Sequence, residues 1–137
     1  MEFLNVIAAA VAAFAFGAVW YTSMSKRWIS AAEIPLDANG RPTRRDGAHT
    51  GNSPMPFVIG FAAMILVAGM MRHMLMVSGV VSVGGGLVAG AGVGAFFITP
   101  WVAMNYAFAM RKPALTVIDG VNSIVGCAVM GAVLNLF

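Results

Sequence analysis

Asp119 is the one acid of this sequence that falls well inside an apolar run, and the groups spaced to meet it are Asn105, Asn122, Arg111 and Lys112. An ionisable group within a membrane is costly to keep and is a functional candidate by default. Lys112 marks a tight turn between two apolar runs. Asn105 and Asp119 each lie seven residues from it, so they stand at the same level on antiparallel helices, amide opposite carboxylate. Lys112 and Asp119 are also two helical turns apart on one face, within reach of an ammonium. Asn122 adds a second amide, and Ser123, Cys127 and Gly131 continue a four-residue stripe beyond the acid.

Two chemistries fit this set. A carboxylate with amide neighbours can carry a proton or a small cation. The same carboxylate, satisfied by Asn105, Arg111 or Lys112, can instead clamp two helices in one register. Polar contacts between membrane helices average only about 0.6 kcal/mol, but a clamp need not be strong to set register. No other constellation competes. There are no paired carboxylates, no His/Cys cluster at ligand spacing and no Ser nucleophile beside a base, and His73, His49 and Cys127 stand alone. The reading is of a protein that is not an enzyme and that takes no cofactor and no metal.

The elements that must position these residues follow from composition. The chain is 137 residues, 60% hydrophobic and only 9% charged, where a soluble domain carries about 25% charge. This is the signature of an integral membrane protein with a single domain over 1–137. The net charge of +3 sits in loops between apolar runs, which argues against a nucleic-acid partner. Four spans are expected, at about 3–22, 57–77, 78–109 and 115–137, with a polar loop at 23–56, so the fold class is all-α: a bundle of four transmembrane helices. The first run lacks a basic n-region and is too long for a signal peptide, so it reads as a retained span.

The third span is expected to be central. Ser78, Ser82, Gly86, Gly90 and Gly94 recur every fourth residue, and Gly85 and Gly92 make a second smooth strip. In water so much glycine argues against helix; in lipid a spanning backbone must bond to itself, and small-xxx-small stripes let helices approach closely. Ala9, Ala13, Gly17 and Tyr21 form a matching stripe on span one, suited to pack on the Gly-rich helix. Pro100 predicts a kink over 96–100. Trp20 and Tyr21 sit at an interfacial aromatic belt followed by Lys26 and Arg27. Residues 26–34 predict a short surface helix with Trp28 facing lipid and Pro35 ending it. Arg72 and His73 either reach the interface or end span two near Met71. Arg41, Arg44 and Arg45 mark topology or a patch for anionic lipid. Seven of the eight Lys and Arg lie in the first and third loops, which predicts a cytoplasmic loop 23–56 and periplasmic termini.

Two segments resemble a bacterial membrane-protein family, the domain of unknown function 1761. One is Gly17-Ala18-Val19-Trp20-Tyr21-Thr22 with Lys26 and Trp28. The other is Asn105-Tyr106-Ala107-Phe108, Arg111-Lys112-Pro113, Leu115, Ile118-Asp119-Gly120, then Met130-Gly131 and Leu134. With the Gly-rich span, the resemblance covers nearly the whole chain. It implies four transmembrane helices in a bacterial inner membrane and no assigned activity. The family often has Pro near the position of Ser23 and Tyr where Val121 stands.

The function expected is that of a non-catalytic accessory subunit. The partners are membrane lipids and other membrane helices, either copies of itself or a larger complex. The motive is more smooth Gly-lined surface than three companion helices cover. The alternative is a small proton- or cation-coupled transporter or channel built on Asp119. By architecture alone that is similar to the small multidrug exporters, which place their carboxylate in the first span.

Overall fold

The computed structural model describes residues 2–44, 46 and 53–136; Arg45 and His49 lie outside the described residues. Helix α1 is Glu2–Ala32, α2 is Met55–Val77, α3 is Val83–Val93, α4 is Thr99–Phe108 and α5 is Pro113–Leu134, with a π-helical turn at Gly94–Ile98 joining α3 to α4. Four helical stretches are long and apolar enough to cross a membrane: Phe3–Ala32, Met55–Val77, Val83–Phe108 and Pro113–Leu134. The protein is a multi-pass membrane protein, an up-and-down bundle of four spans.

The centre of that bundle is α5, not the Gly-rich third span. Helix α5 packs against every other helix, whereas α3 does not touch α1. In its most apolar stretch 39% of the residues of α5 are buried, against 11% for the third span. Of the expected stripe, Gly86, Gly90 and Gly94 are nonetheless used as their spacing implies, while Ser78 and Ser82 lie outside the helix as caps of α2 and α3. A Cβ on Gly86 would overlap the Gly131 carbonyl of α5, one on Gly90 the Cys127 carbonyl, and one on Gly94 would lie 2.5 Å from Ile124 Cα. Glycine there lets two backbones touch. The second strip does not pack in this way. Gly92 has open space where a Cβ would be, and Gly85 meets only its own turn, Ser82 and Val80.

The stripe of α1 also finds a different partner. Ala9, Ala10 and Ala13 are buried in one core with Ala68, Met71 and Leu75 of α2 and Cys127, Met130 and Leu134 of α5. Gly17 faces Asn122 of α5 and Met64 of α2. Phe14 and Phe61 meet edge to face at 5.6 Å and fix the α1–α2 contact.

Helix α1 has 31 residues, about 46 Å of helix for a hydrocarbon core of about 30 Å. The separate surface helix expected over 26–34 is instead the last two turns of α1. It stops at Glu33, whose φ of 53° is left-handed, with the Ile34 N–H bonded to the Ile29 carbonyl. Helix α4 stops the same way at Met110, φ 54°, with the Arg111 N–H on the Tyr106 carbonyl. An L side chain in this conformation costs about 1–2 kcal/mol. Met110 is 89% exposed and has no packing to lose. Met110→Gly is therefore expected to raise stability by about 0.5–1 kcal/mol after its own entropy loss, measured by denaturant titration in micelles.

The disturbance expected around Pro100 is a widened turn. Proline has no N–H and its ring crowds the preceding turn. The π turn at Gly94–Ile98 stands directly before it, and the Thr99 hydroxyl donates to the Gly94 carbonyl at 2.7 Å. Helix α2 continues past Arg72 to Val77, so the span does not end at Met71. Arg72 donates from Nη1 to the Leu134 carbonyl at 2.9 Å, and Asn135 donates to the Gly131 carbonyl at 3.2 Å. Together they satisfy carbonyls that the end of α5 leaves open. His73 is exposed.

Candidate functional site

Asp119 lies two turns into α5, facing α1 and α4. Its Oδ1 accepts from the Tyr21 hydroxyl at 2.7 Å and from the Trp28 indole N–H at 3.2 Å; its Oδ2 accepts from the Tyr106 hydroxyl at 2.6 Å. One carboxylate thus ties α1, α4 and α5 together through three uncharged donors. Tyr21 and Trp28 are seven residues apart, two turns on one face of α1, and their rings meet edge to face at 5.8 Å. That face exists only because α1 continues through 23–32. Trp20, one residue before Tyr21, donates its indole N–H to the Ile118 carbonyl at 3.0 Å. Trp20 also stacks on Phe16 at 6.3 Å. Beside the donors Ala31, Leu115 and Ile118 form a small buried core, with Met24 and Ala32 packed against it.

The expected neighbours of Asp119 are arranged differently. Asn105 is exposed, and no hydrogen bond joins it to Asp119 among the described residues. The next residue, Tyr106, takes the place assigned to it. Asn122 Oδ1 is buried beside Gly17 without a donor among the described residues. Arg111 and Lys112 turn to the end of α1. Arg111 donates from Nη1 to the Ala32 carbonyl at 3.2 Å. Lys112 donates to the Ser30 carbonyl at 3.3 Å and pairs with Glu33 at 3.7 Å. These cations sit on the carbonyl end of a helix, where the helix dipole favours them. Ser123 donates to the Asp119 carbonyl at 2.8 Å, bonding back within α5.

Gly120 belongs to the same region. A Cβ there would come 2.9 Å from Thr99 Cγ2, so its absence lets the π turn and α4 sit close to α5. Tyr21, Trp28 and Tyr106 are the partners of the acid that sequence reasoning missed. The seven-residue spacing of Tyr21 and Trp28 was the available signal.

An ionised carboxylate offers about four acceptor positions, of which three are taken here. No ion pair joins Asp119 to Lys or Arg among the described residues. The arrangement can hold a charge by hydrogen bonds alone and can fix three helices about it. Of the residues that bear the family resemblance, Trp20, Tyr21, Trp28, Tyr106, Arg111, Lys112, Ile118, Asp119 and Gly120 are gathered at this site or on its rim, whereas Met130 and Leu134 lie in the other core.

Away from it, two apolar grooves open on the bundle surface. One lies between α2 and α3, about 260 Å³, walled by Met71, Met74, Leu75, Ala89, Gly92 and Val93 with Phe96 and Phe97 at its edge. The other lies between α1 and α5, about 700 Å³. Asp119 lines neither.

Compared with known proteins, residues 4–135 match the family described as "Protein of unknown function (DUF1761)". No curated protein and no solved structure matches the chain.

Proposed function

Because this chain belongs to the DUF1761 family, whose description assigns no activity, we propose from its own geometry that it is a non-catalytic accessory subunit of the membrane, one that binds a further transmembrane helix. The observation that carries this reading is the groove between α2 and α3. These two helices scarcely touch, and between them runs an apolar channel with Gly92 on its floor, where a Cβ would meet nothing within 4 Å. The α5 side of the stripe, Gly86, Gly90 and Gly94, is consumed inside the molecule. The Gly92 side is left smooth and open, which is the surface a packed membrane helix requires. The occupant is a helix of a second copy or of a larger complex. The distribution of Lys and Arg supports a reading with the loop side in the cytoplasm of a bacterial cell, both termini in the periplasm and the chain in the inner membrane.

The transporter reading finds less support. Both oxygens of Asp119 already accept hydrogen bonds, and Asp119 lines neither groove. Three of its about four acceptor positions are taken, two of them by tyrosine hydroxyls at 2.6 and 2.7 Å, which leaves little room for a transported cation.

Cysteine cross-linking in native membranes tests the accessory reading. Gly92→Cys is expected to form an adduct of higher mass with another membrane protein or a second copy. Val11→Cys, placed on the outer face of α1 (50% exposed), is expected to form none. Equal cross-linking at both positions, or none at Gly92→Cys, contradicts it.

A further inference from the structure

The groove between α1 and α5 carries a second assignment, independent of the accessory reading. Its walls are apolar: Trp20 and Met24 from α1, Val117 and Val121 from α5. Its rim is cationic: Lys26 and Arg27 on α1 and Lys112 at the start of α5. The two halves are ordered by depth. From Lys112 to Val121 α5 rises about 14 Å, close to half of a hydrocarbon core of about 30 Å. The groove therefore runs the depth of one leaflet, apolar inward and cationic where headgroups lie.

Two of the three charges at the rim are available. Lys26 and Arg27 are exposed, and no hydrogen bond or ion pair among the described residues takes up either. Lys112 donates to the Ser30 carbonyl at 3.3 Å and pairs with Glu33 at 3.7 Å, yet its side chain stays half exposed at the rim. The Trp20 indole N–H is spent on the Ile118 carbonyl, leaving the ring as plain apolar wall.

We propose that this groove binds one anionic phospholipid of the leaflet on the loop side, its phosphate between Lys26, Arg27 and Lys112 and one acyl chain along Trp20, Val117 and Val121. Charge complementarity selects an anion, and the length of apolar wall beneath selects an anion that carries a chain. Basic pockets between membrane helices hold anionic headgroups for the same reason.

The test is native mass spectrometry of the full chain in mild detergent, titrated with phosphatidylglycerol, with phosphatidylcholine of the same chains, and with inorganic phosphate. One phosphatidylglycerol is expected to be retained, with no matching phosphatidylcholine and no displacement by millimolar phosphate. Lys26→Gln/Arg27→Gln is expected to weaken retention roughly 30-fold, two basic residues each contributing about fivefold near the surface. Val117→Trp, which fills the chain wall and leaves every charge in place, is expected to weaken it as well. Gly92→Leu, in the other groove, is expected to leave it unchanged, so that failure of the accessory reading and failure of this one are told apart. Circular dichroism checks that each variant keeps its helices; Lys26 and Arg27 are exposed and have no partner among the described residues, so the double variant decides even if Val117→Trp does not fold. Equal retention of phosphatidylcholine, undiminished retention by the double variant, or displacement by phosphate alone overturns the assignment.

Discussion

Gly90→Ala is expected to separate α3 from α5 and to destabilise the bundle by about 3 kcal/mol, at the upper end of the range for overpacking a close contact. The added methyl would overlap a backbone carbonyl, that of Cys127, not the tip of a side chain. Backbone cannot rotate aside, so the helices must part. Parting them also opens the neighbouring contacts at Gly86 with Gly131 and at Gly94 with Ile124. The matched control is Gly92→Ala, two residues away, whose methyl meets nothing within 4 Å. It is expected to change stability by less than about 1 kcal/mol, the whole spread between Gly and Ala in a helix. Unfolding titrations of both variants in mixed micelles give the comparison. Equal losses would mean that α3 does not approach α5 through Gly90.

Asp119→Ala carries the second large effect. It leaves the Tyr21 hydroxyl, the Trp28 N–H and the Tyr106 hydroxyl without their acceptor. Three bonds at the average for polar contacts between membrane helices come to about 2 kcal/mol; three bonds to a charged acceptor come to about 5 kcal/mol. The expected loss lies between, nearer the lower figure, because Asp119 and its donors are only partly buried. Asp119→Asn keeps one acceptor oxygen and loses the charge, and is expected to cost about half as much. Tyr21→Phe and Tyr106→Phe should each reproduce part of the Asp119→Ala loss and add little in its presence, since all act through the same carboxylate. Double-mutant cycles on unfolding free energy read this directly. Additive losses would mean that the hydroxyls serve something other than Asp119.

Much of this arrangement was legible in the residues. Hydropathy located four spans, and the spacing of Gly86, Gly90 and Gly94 identified a face made for close approach. It did not say which helix would use that face. A stripe of small residues reports smoothness, and the stripes of α1 and α3 were matched to each other because both were smooth. In the bundle each turns to α5, which lies antiparallel to both and carries Gly131 and Cys127 where α3 needs backbone contact. The level of the residue opposite Asp119 also followed from counting out from Lys112. Counting fixes depth and leaves the angle round the helix free, and one residue is a rotation of about 100°. Tyr106 therefore reaches the acid and Asn105 faces outward.

The remaining difference came from ending span one at Thr22. Lys26 and Arg27 mark where the hydrocarbon stops, but a helix need not stop there. Continued as one piece, α1 puts Trp28 two turns above Tyr21, and an indole read as lying on lipid becomes a donor to Asp119. The basic pair Arg111 and Lys112 shows the same limit. Their spacing from Asp119 suggested a salt bridge, while the carbonyls ending α1 at Ser30 and Ala32 lie nearer and hold them.

The most direct test of the accessory role is native mass spectrometry of the wild-type protein and the Gly92→Leu variant, both extracted gently from their own membrane. Wild type is expected to emerge bound to another membrane subunit or to copies of itself. The variant, with the α2–α3 groove filled and the bundle intact, is expected to emerge alone. A wild-type protein that emerges as a lipid-bathed monomer would contradict the role proposed for that groove.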